Sequence, residues 1–387
     1  MKKKNLVLAL IIYLLSAGGS YAFFSQVDTV SNNDANVTTT TDAESETALG
    51  LLLEIDPSEP VDQPCPINGA LYTTTERNAW EKKRPLFIMI ENSPDARPQS
   101  GLSKADAVFE AVAEGGVTRY GAVFYCAAQK QDVVVAPVRS ARTYFVDWAS
   151  GFNFPLYVNV GGANLPGPAD ALGQIRKYGW ELENNLSQFS IGYPTFVRNN
   201  NRLDREVATE HTMETATEAL WAVAAKRDWT NTDPDGNEWA DDYTGWVFED
   251  EPAAQGSVNK ISYSFWSGYN DYSVEWSYDG QQNVYLRTLA GQEDLDLETG
   301  KRISAATVIV LKTTEKGPID ELKHMLYTTI GKGTALIFKN GEVIEANWSK
   351  PTRVSQLRFT DSQGKDVKLA RGKIWISVLG LGNEVEY

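Results

Sequence analysis

Residues 107–126 constrain the fold more than any other stretch. Two largely apolar segments, Ala107–Glu114 and 117–126, flank Gly115-Gly116. Paired glycines tolerate the positive φ of a two-residue turn, so this run predicts a tight β-hairpin. Such a turn sets Glu114 opposite Val117 and Val112 opposite Arg119. Alternation then places Glu110, Val112 and Glu114 on one face, with Arg119 diagonal to both glutamates. Two carboxylates and a guanidinium between apolar neighbours call for a buried ion network or a polar cleft.

The surrounding sequence mixes both element types. Residues 85–91 (PLFIMIE), 133–138 and 156–160 are apolar and β-rich, whereas 141–150, 170–178 and 213–227 suit helices. That order predicts an α+β or α/β N-terminal domain over residues 61–245. Further on, Asp279-Gly280, Asn340-Gly341 and Gln363-Gly364 punctuate β-rich runs, and 272–278 alternates cleanly. A mostly β C-terminal domain is expected over 255–387, with 321–327 either a short helix or another strand.

The chain opens with Lys2-Lys3-Lys4, an apolar run over 6–17 and Ser20-Tyr21-Ala22. A basic start, a short apolar core and small residues before a cleavage point make a secretory signal over 1–22. Cleavage after Ala22 is favoured over retention as an anchor, since a span needs about 20 apolar residues. Residues 23–60, rich in Asn, Thr and acids, read as a disordered linker. Export makes Cys65 and Cys126, the two cysteines, a disulfide candidate. The expected location is extracytoplasmic, with membrane contact only through an uncleaved leader. A net charge of −15 argues against nucleic acid as a partner.

Recognised metal and phosphate patterns are missing from the sequence, and no serine sits in Gly-x-Ser-x-Gly. With His211 and His324 the only histidines, a site of three or more is excluded. No cofactor or metal site is predicted. The chemistry-bearing candidates lie in clusters. Pro137-Val138-Arg139-Ser140-Ala141-Arg142 follows a strand and opens a helix, where forked arginines suit phosphate or carboxylate. Tyr144 and Asp147 stand close by. Arg198, Arg202, Arg205 and His211 form a second group, with His211 a candidate acid–base or phosphate ligand. Each has a bland alternative: arginines paired to local acids, and a structural histidine. Trp266, Trp276, Trp348 and Trp375 are either core or a sugar-binding face.

Several stretches resemble one family. They are 84–92 (RPLFIMIEN), 96–102 (ARPQSGL), 113–119 (AEGGVTR) and 137–142 (PVRSAR), then 307–310, 331–335, Asn340-Gly341 and 372–375. Together they are similar to the YerB-like bacterial lipoproteins, a two-domain extracytoplasmic family of unknown function, over most of 62–382. Two departures stand out. Gly18 occupies the place of the lipid-bearing cysteine, so lipidation is not expected. The segment Glu210-His211-Thr212 replaces the family's Pro-His-Asn, which weakens any transfer of a role to His211.

The expected function is that of an exported envelope protein binding an anionic cell-wall or lipid-linked ligand in an N-terminal cleft. The ligand-binding set is Arg97, Arg119, Arg139, Ser140, Arg142 and Arg198. One alternative is an envelope phosphotransferase or hydrolase, with Glu110, Glu114, Asp147 or His211 catalytic and a divalent metal admitted as cofactor. The other is a non-catalytic scaffold whose arginines are all engaged internally. Whether the protein is an enzyme stays open at this level.

Overall fold

The computed structural model describes residues 51–232, 235–250 and 256–387. The expected leader (1–22) and most of the linker lie outside the described residues. Residues 51–60, expected to be disordered, instead lie against the domain. Leu52 donates its N–H to the Lys130 carbonyl at 3.0 Å, and Leu51 bridges Gln131. A backbone pairing thus offsets the ordering of this segment, which composition alone did not suggest.

In chain order the main strands of the first half are β1 (Leu86–Glu91), β2 (Ala107–Glu114), β3 (Val117–Phe124), β4 (Val134–Val135), β5 (Leu156–Asn159), β6 (Asn185–Ser187), β7 (Phe196–Arg198) and β8 (Met213–Ala216). Those of the second half are β9 (Lys260–Ser264), β10 (Ser273–Asp279), β11 (Val284–Leu289), β12 (Gln292–Glu293), β13 (Ser304–Ala305), β14 (Thr307–Thr313), β15 (Gly331–Lys339), β16 (Glu342–Lys350), β17 (Arg358–Thr360), β18 (Ile374–Gly380) and β19 (Val385–Glu386). Helices α1 (Thr74–Trp80), α2 (Thr143–Ala149), α3 (Ala171–Lys177), α4 (Gln188–Ile191) and α5 (Thr217–Lys226) all fall in the first half. A mixed N-terminal half and a strand-dominated C-terminal half agree with the expectation.

Ten strands form one sheet in the order β17-β16-β15-β14-β18-β2-β3-β1-β5-β6. The two halves of the chain meet where β18 runs parallel to β2, with Ile376 beside Phe109. The central strands are buried on both faces, which is why β1 and β18 read as continuous apolar runs. One face carries helix α2, whose Trp148 stacks on Phe109 at 5.5 Å. The other carries a smaller sheet in the order β12-β11-β10-β9-β19, with β13 beside β11. Trp276 of that sheet meets Trp375 of the large one at 5.5 Å. Among the described residues no helix is long and apolar enough to cross a membrane.

Two local expectations are corrected. Residues 213–216 are strand β8 rather than the start of a helix, because they pair with β7 and β4; α5 begins at Thr217. Thr212 precedes that strand, and its hydroxyl donates to the Thr209 carbonyl. The hairpin turn itself is as expected, with Gly115 and Gly116 at φ 57° and 88°. Its register is not. A bulge at Ala113 sets Val112 opposite Thr118 and Ala111 opposite Arg119, while Glu114 keeps Val117. The bulge is held by tertiary contacts. Val112 donates its N–H to Tyr327 Oη at 3.2 Å, and its carbonyl accepts from Tyr144 Oη at 2.7 Å. One extra residue reverses the facing of every later position in the strand, so Glu110 and Glu114 lie on opposite faces.

Cys65 and Cys126 form a disulfide, with Cα atoms 6.0 Å apart, that closes a loop of 61 residues. Beside it, Asp106 is fully buried and accepts from Asn68 Nδ2 at 2.7 Å and Tyr125 N at 2.6 Å. Burial pushes its carboxyl up to about 7. The grouping of Cys65, Asp106 and Cys126 has metal-ligand spacing. Its sulfurs are consumed by the bridge, which leaves one carboxylate and no thiolate to bind an ion. Replacing both cysteines with alanine is expected to cost about 4 kcal/mol by the loop-entropy relation. Urea unfolding of the variant against the oxidised protein measures this.

Candidate functional site

The site forms where three chain segments meet at one end of the large sheet. Segment 137–142 lies across that end. Glu91 N–H donates to the Pro137 carbonyl at 3.0 Å, and Arg139 N–H to Met89 O at 2.9 Å. On its other side Val160 N–H donates to Arg139 O, and Ala141 N–H to Gly161 O. This double pairing fixes the backbone of Arg139, Ser140 and Arg142 without regular structure around them. Helix α2 is only seven residues long, with Arg142 at its N-cap, so the arginines act through side chains rather than a helix end.

The bulge puts Glu114 on the face of Arg119. Its Oε1 accepts from Arg119 Nη2 at 2.7 Å, and its Oε2 accepts from Arg142 Nη2 at 2.6 Å and Nε at 3.0 Å. Each arginine also reaches backbone, Arg119 Nη1 donating to Ser140 O and Arg142 Nη1 to Ala141 O, while the buried Arg119 Nε makes no hydrogen bond among the described residues. Burial alone would raise the Glu114 carboxyl, but Arg119 and Arg142 outweigh it and hold it at about 2. Burial lowers Arg142, helped by the nearby charge of Arg119.

Next to this unit stands Glu91, cross-strand from Arg119. Its Oε2 lies 2.9 Å from His211 Nδ1 and 3.2 Å from Arg139 Nε. The carboxylate accepts from Nδ1, which leaves Nε2 as the second ring nitrogen of the pair. Nε2 makes no hydrogen bond among the described residues. The Arg139 side chain is 25% exposed and makes no hydrogen bond among the described residues beyond its approach to Glu91. Burial depresses its guanidinium, with Glu91 opposing. Within the buried cluster three arginines thus face two carboxylates, and the exposed Glu210 acts on the partly exposed Arg139 from outside it.

The other expected site residues separate from this group or border it. Ser140 Oγ donates to Val160 O at 3.0 Å and is spent on backbone. Arg198 is exposed, donates to Thr209 O, and lies near enough to act on Glu210 together with Arg139 and His211. Arg97 sits on the opposite face, bonded to Asn92 Oδ1 at 3.0 Å and stacked over Tyr272. Glu110 is wholly buried between the two sheets. It pairs with Arg287 at 2.8 Å and accepts from Trp375 Nε1 at 3.2 Å. It cannot reach a solute, so its place among acid–base candidates is corrected to a structural one. Asp147 is occupied by Gln174 at 2.8 Å and Thr329 at 2.7 Å, away from the arginines. Of the four tryptophans weighed as a sugar face, Trp276, Trp348 and Trp375 are core and only Trp266 is partly exposed.

Glu91 was missed from the sequence. Its position ends an apolar strand, and nothing local distinguishes it from a solvated strand terminus. The signal lay in cross-strand pairing with Arg119, which needs the order of β1 and β3.

Comparisons with known proteins agree with this architecture. Residues 72–230 match the model described as "Protein of unknown function (DUF3048) N-terminal domain", and residues 261–376 match the corresponding C-terminal domain. A Bacillus subtilis (strain 168) protein named "Putative lipoprotein YerB" is 29% identical over 310 residues, covering 79% of this chain and 83% of that protein. The crystal structure of YerB from Bacillus subtilis aligns with a TM-score of 0.67 at 25% identity, over 84% of this chain and 99% of that one. With both domain models matched in order across most of the folded chain, the protein belongs to the DUF3048 family, the family of YerB.

Proposed function

We propose that the protein is a binding protein of the cell envelope that holds a small anionic group, of the phosphate or carboxylate class, at the opening formed by Arg139. The envelope placement rests on the name of the Bacillus relative and on the signal-like N-terminus. The observation that carries the ligand class is the charge imbalance of the buried cluster. Glu114 is shared by Arg119 and Arg142 in close hydrogen-bonded pairs, whereas Arg139 makes its one ion pair with the more distant Glu91, itself shared with His211, and feels the exposed Glu210 only at longer range. An oxyanion at the opening would complete the guanidinium's forked donors. Arg198 stands at the border as a second cation.

The test is thermal unfolding of the full-length protein with phosphate, pyrophosphate and citrate. At a hundredfold excess over Kd, a ligand stabilises by about 2.7 kcal/mol. Arg139→Gln should abolish the shift and leave the ligand-free stability nearly unchanged. No shift with any of these anions, or a shift that survives Arg139→Gln, rejects the site and favours the scaffold.

The Glu91–His211 pair favours a second reading, a phosphoryl-transferring or hydrolytic enzyme at the same opening. There His211 Nε2 would serve as general base and Arg139 would hold phosphate charge. His211→Gln distinguishes the two: binding retained with turnover lost supports the enzyme, and no turnover in the parent protein leaves the binding reading.

A further inference from the structure

The smaller sheet carries a second feature, unrelated to the arginines. Its outer face borders an open groove of about 930 Å³. That size suits a ligand of several rings. Inward residues such as Ile261, Tyr263, Val274 and Trp276 are buried against the large sheet, so the alternate positions form the floor. The floor is a polar row across four adjacent strands: Glu386 beside Ser262, Ser262 beside Glu275, and Glu275 beside Thr288. Ser264 pairs with Ser273 to make a second row.

One wall is aromatic and fixed in place. Trp266 and Tyr269 meet edge to face, 5.3 Å apart. Trp266 Nε1 donates to Glu315 Oε1 at 2.6 Å, and the other carboxylate oxygen accepts from Tyr327 Oη. Tyr269 lies over Gly116 at the hairpin tip. A Cβ there would come within 2.2 Å of the ring, so the close approach requires glycine. Tyr269 is nonetheless 42% exposed. The segment 382–384 also lines the groove, pinned where Asn383 Nδ2 donates to the carbonyls of Ser264 at 2.8 Å and Phe265 at 2.6 Å.

We propose that this groove binds an uncharged glycan chain, with pyranose rings packed on Trp266 and Tyr269 and their hydroxyls bonded to the serine and glutamate rows. Sugar rings present a C–H face that packs on aromatics and an edge of hydroxyls that both donate and accept. Serine hydroxyls match that edge because they too do both. Glu275, Glu384 and Glu386 in the lining repel an anionic polymer. A basic peptide fits less well, since Glu275 already pairs with Lys260 and Glu386 accepts from Ser262 Oγ at 3.3 Å. The locked aromatic pair lowers the ordering cost that an open surface would carry.

The test is calorimetric titration and intrinsic tryptophan fluorescence of the full-length protein with chitotetraose, cellotetraose, maltotetraose and oligolysine. At least one tetrasaccharide should bind saturably. Tyr269→Ala and Trp266→Ala should each weaken it about tenfold, the equivalent of one aromatic contact. Ser262→Arg, which fills the floor and pairs with its acids, should abolish binding. If Trp266→Ala fails to fold, the exposed Tyr269→Ala and Ser262→Arg carry the comparison. No tetrasaccharide binding, tetrasaccharide binding untouched by these variants, or oligolysine binding alone overturns the proposal. Arg139→Gln serves as a control that should leave glycan binding unchanged.

Discussion

Replacing Arg287 with methionine should destabilise the protein by about 3–5 kcal/mol, because it strands buried carboxylates. Arg287 has no exposed side-chain area and sits between the sheets. It pairs with Glu110 at 2.8 Å, with Asp294, and with Tyr120 Oη at 3.1 Å, while its guanidinium stacks 4.5 Å from the centre of the Trp375 ring. Burial already pushes the Glu110 carboxyl up, and Arg287 is the charge that opposes it. Without that charge Glu110 is protonated more readily, so the loss should shrink as pH falls. Glu110→Gln combined with Arg287→Met should cost less than the two single variants added together. Urea denaturation of the three variants reads both points. Additive costs would mean that the pair is not coupled and that Trp375, Thr118 and Asn92 carry the site instead.

Glu114→Gln is the second large perturbation, with an expected cost of about 3–5 kcal/mol at neutral pH. It leaves Arg119 and Arg142 buried side by side without their shared counter-charge. The pH dependence gives a sharper check. The Glu114 carboxyl is depressed from 4.5 to about 2, so its contribution is fully present above pH 4.5 and is lost as pH falls towards 2. That shift corresponds to about 3 kcal/mol. The difference between Glu114→Gln and the parent protein should therefore narrow from pH 7 to pH 3, as read by urea midpoints at each pH. A difference that does not change with pH would show that the cost is lost packing rather than lost charge.

Both predictions rest on the bulge at Ala113, and this is also where sequence and structure part. Residue types along the hairpin, its Gly-Gly turn and its buried ionic character were all legible. They come from local chemistry: apolar runs make strands, and glycine takes positive φ. The assignment of Arg119 to both glutamates was not. One extra residue divides them, sending Glu114 to Arg119 and Arg142 and sending Glu110 to Arg287, which lies 177 positions away in the chain. The bulge depends on two tyrosine hydroxyls, from Tyr144 and Tyr327, that satisfy the Val112 backbone.

Other elements divide in the same way. The disulfide was readable from cysteine count and the export signal, and helix α3 falls within the expected 170–178, with Asp170 as the cap the structure adds. Strand β8 was read as helix because Met213–Ala216 has no strong local preference and takes its form from β7 and β4. Most strands, the turn and the stock of arginines and acids were thus legible from the chain alone, since these depend on near neighbours. Which acid neutralises which arginine, and that Arg139 stays partly exposed, came from packing across the folded chain. Charge pairing inside a protein depends on distance in space and on burial, and both are set by how strands far apart in the chain come to lie side by side.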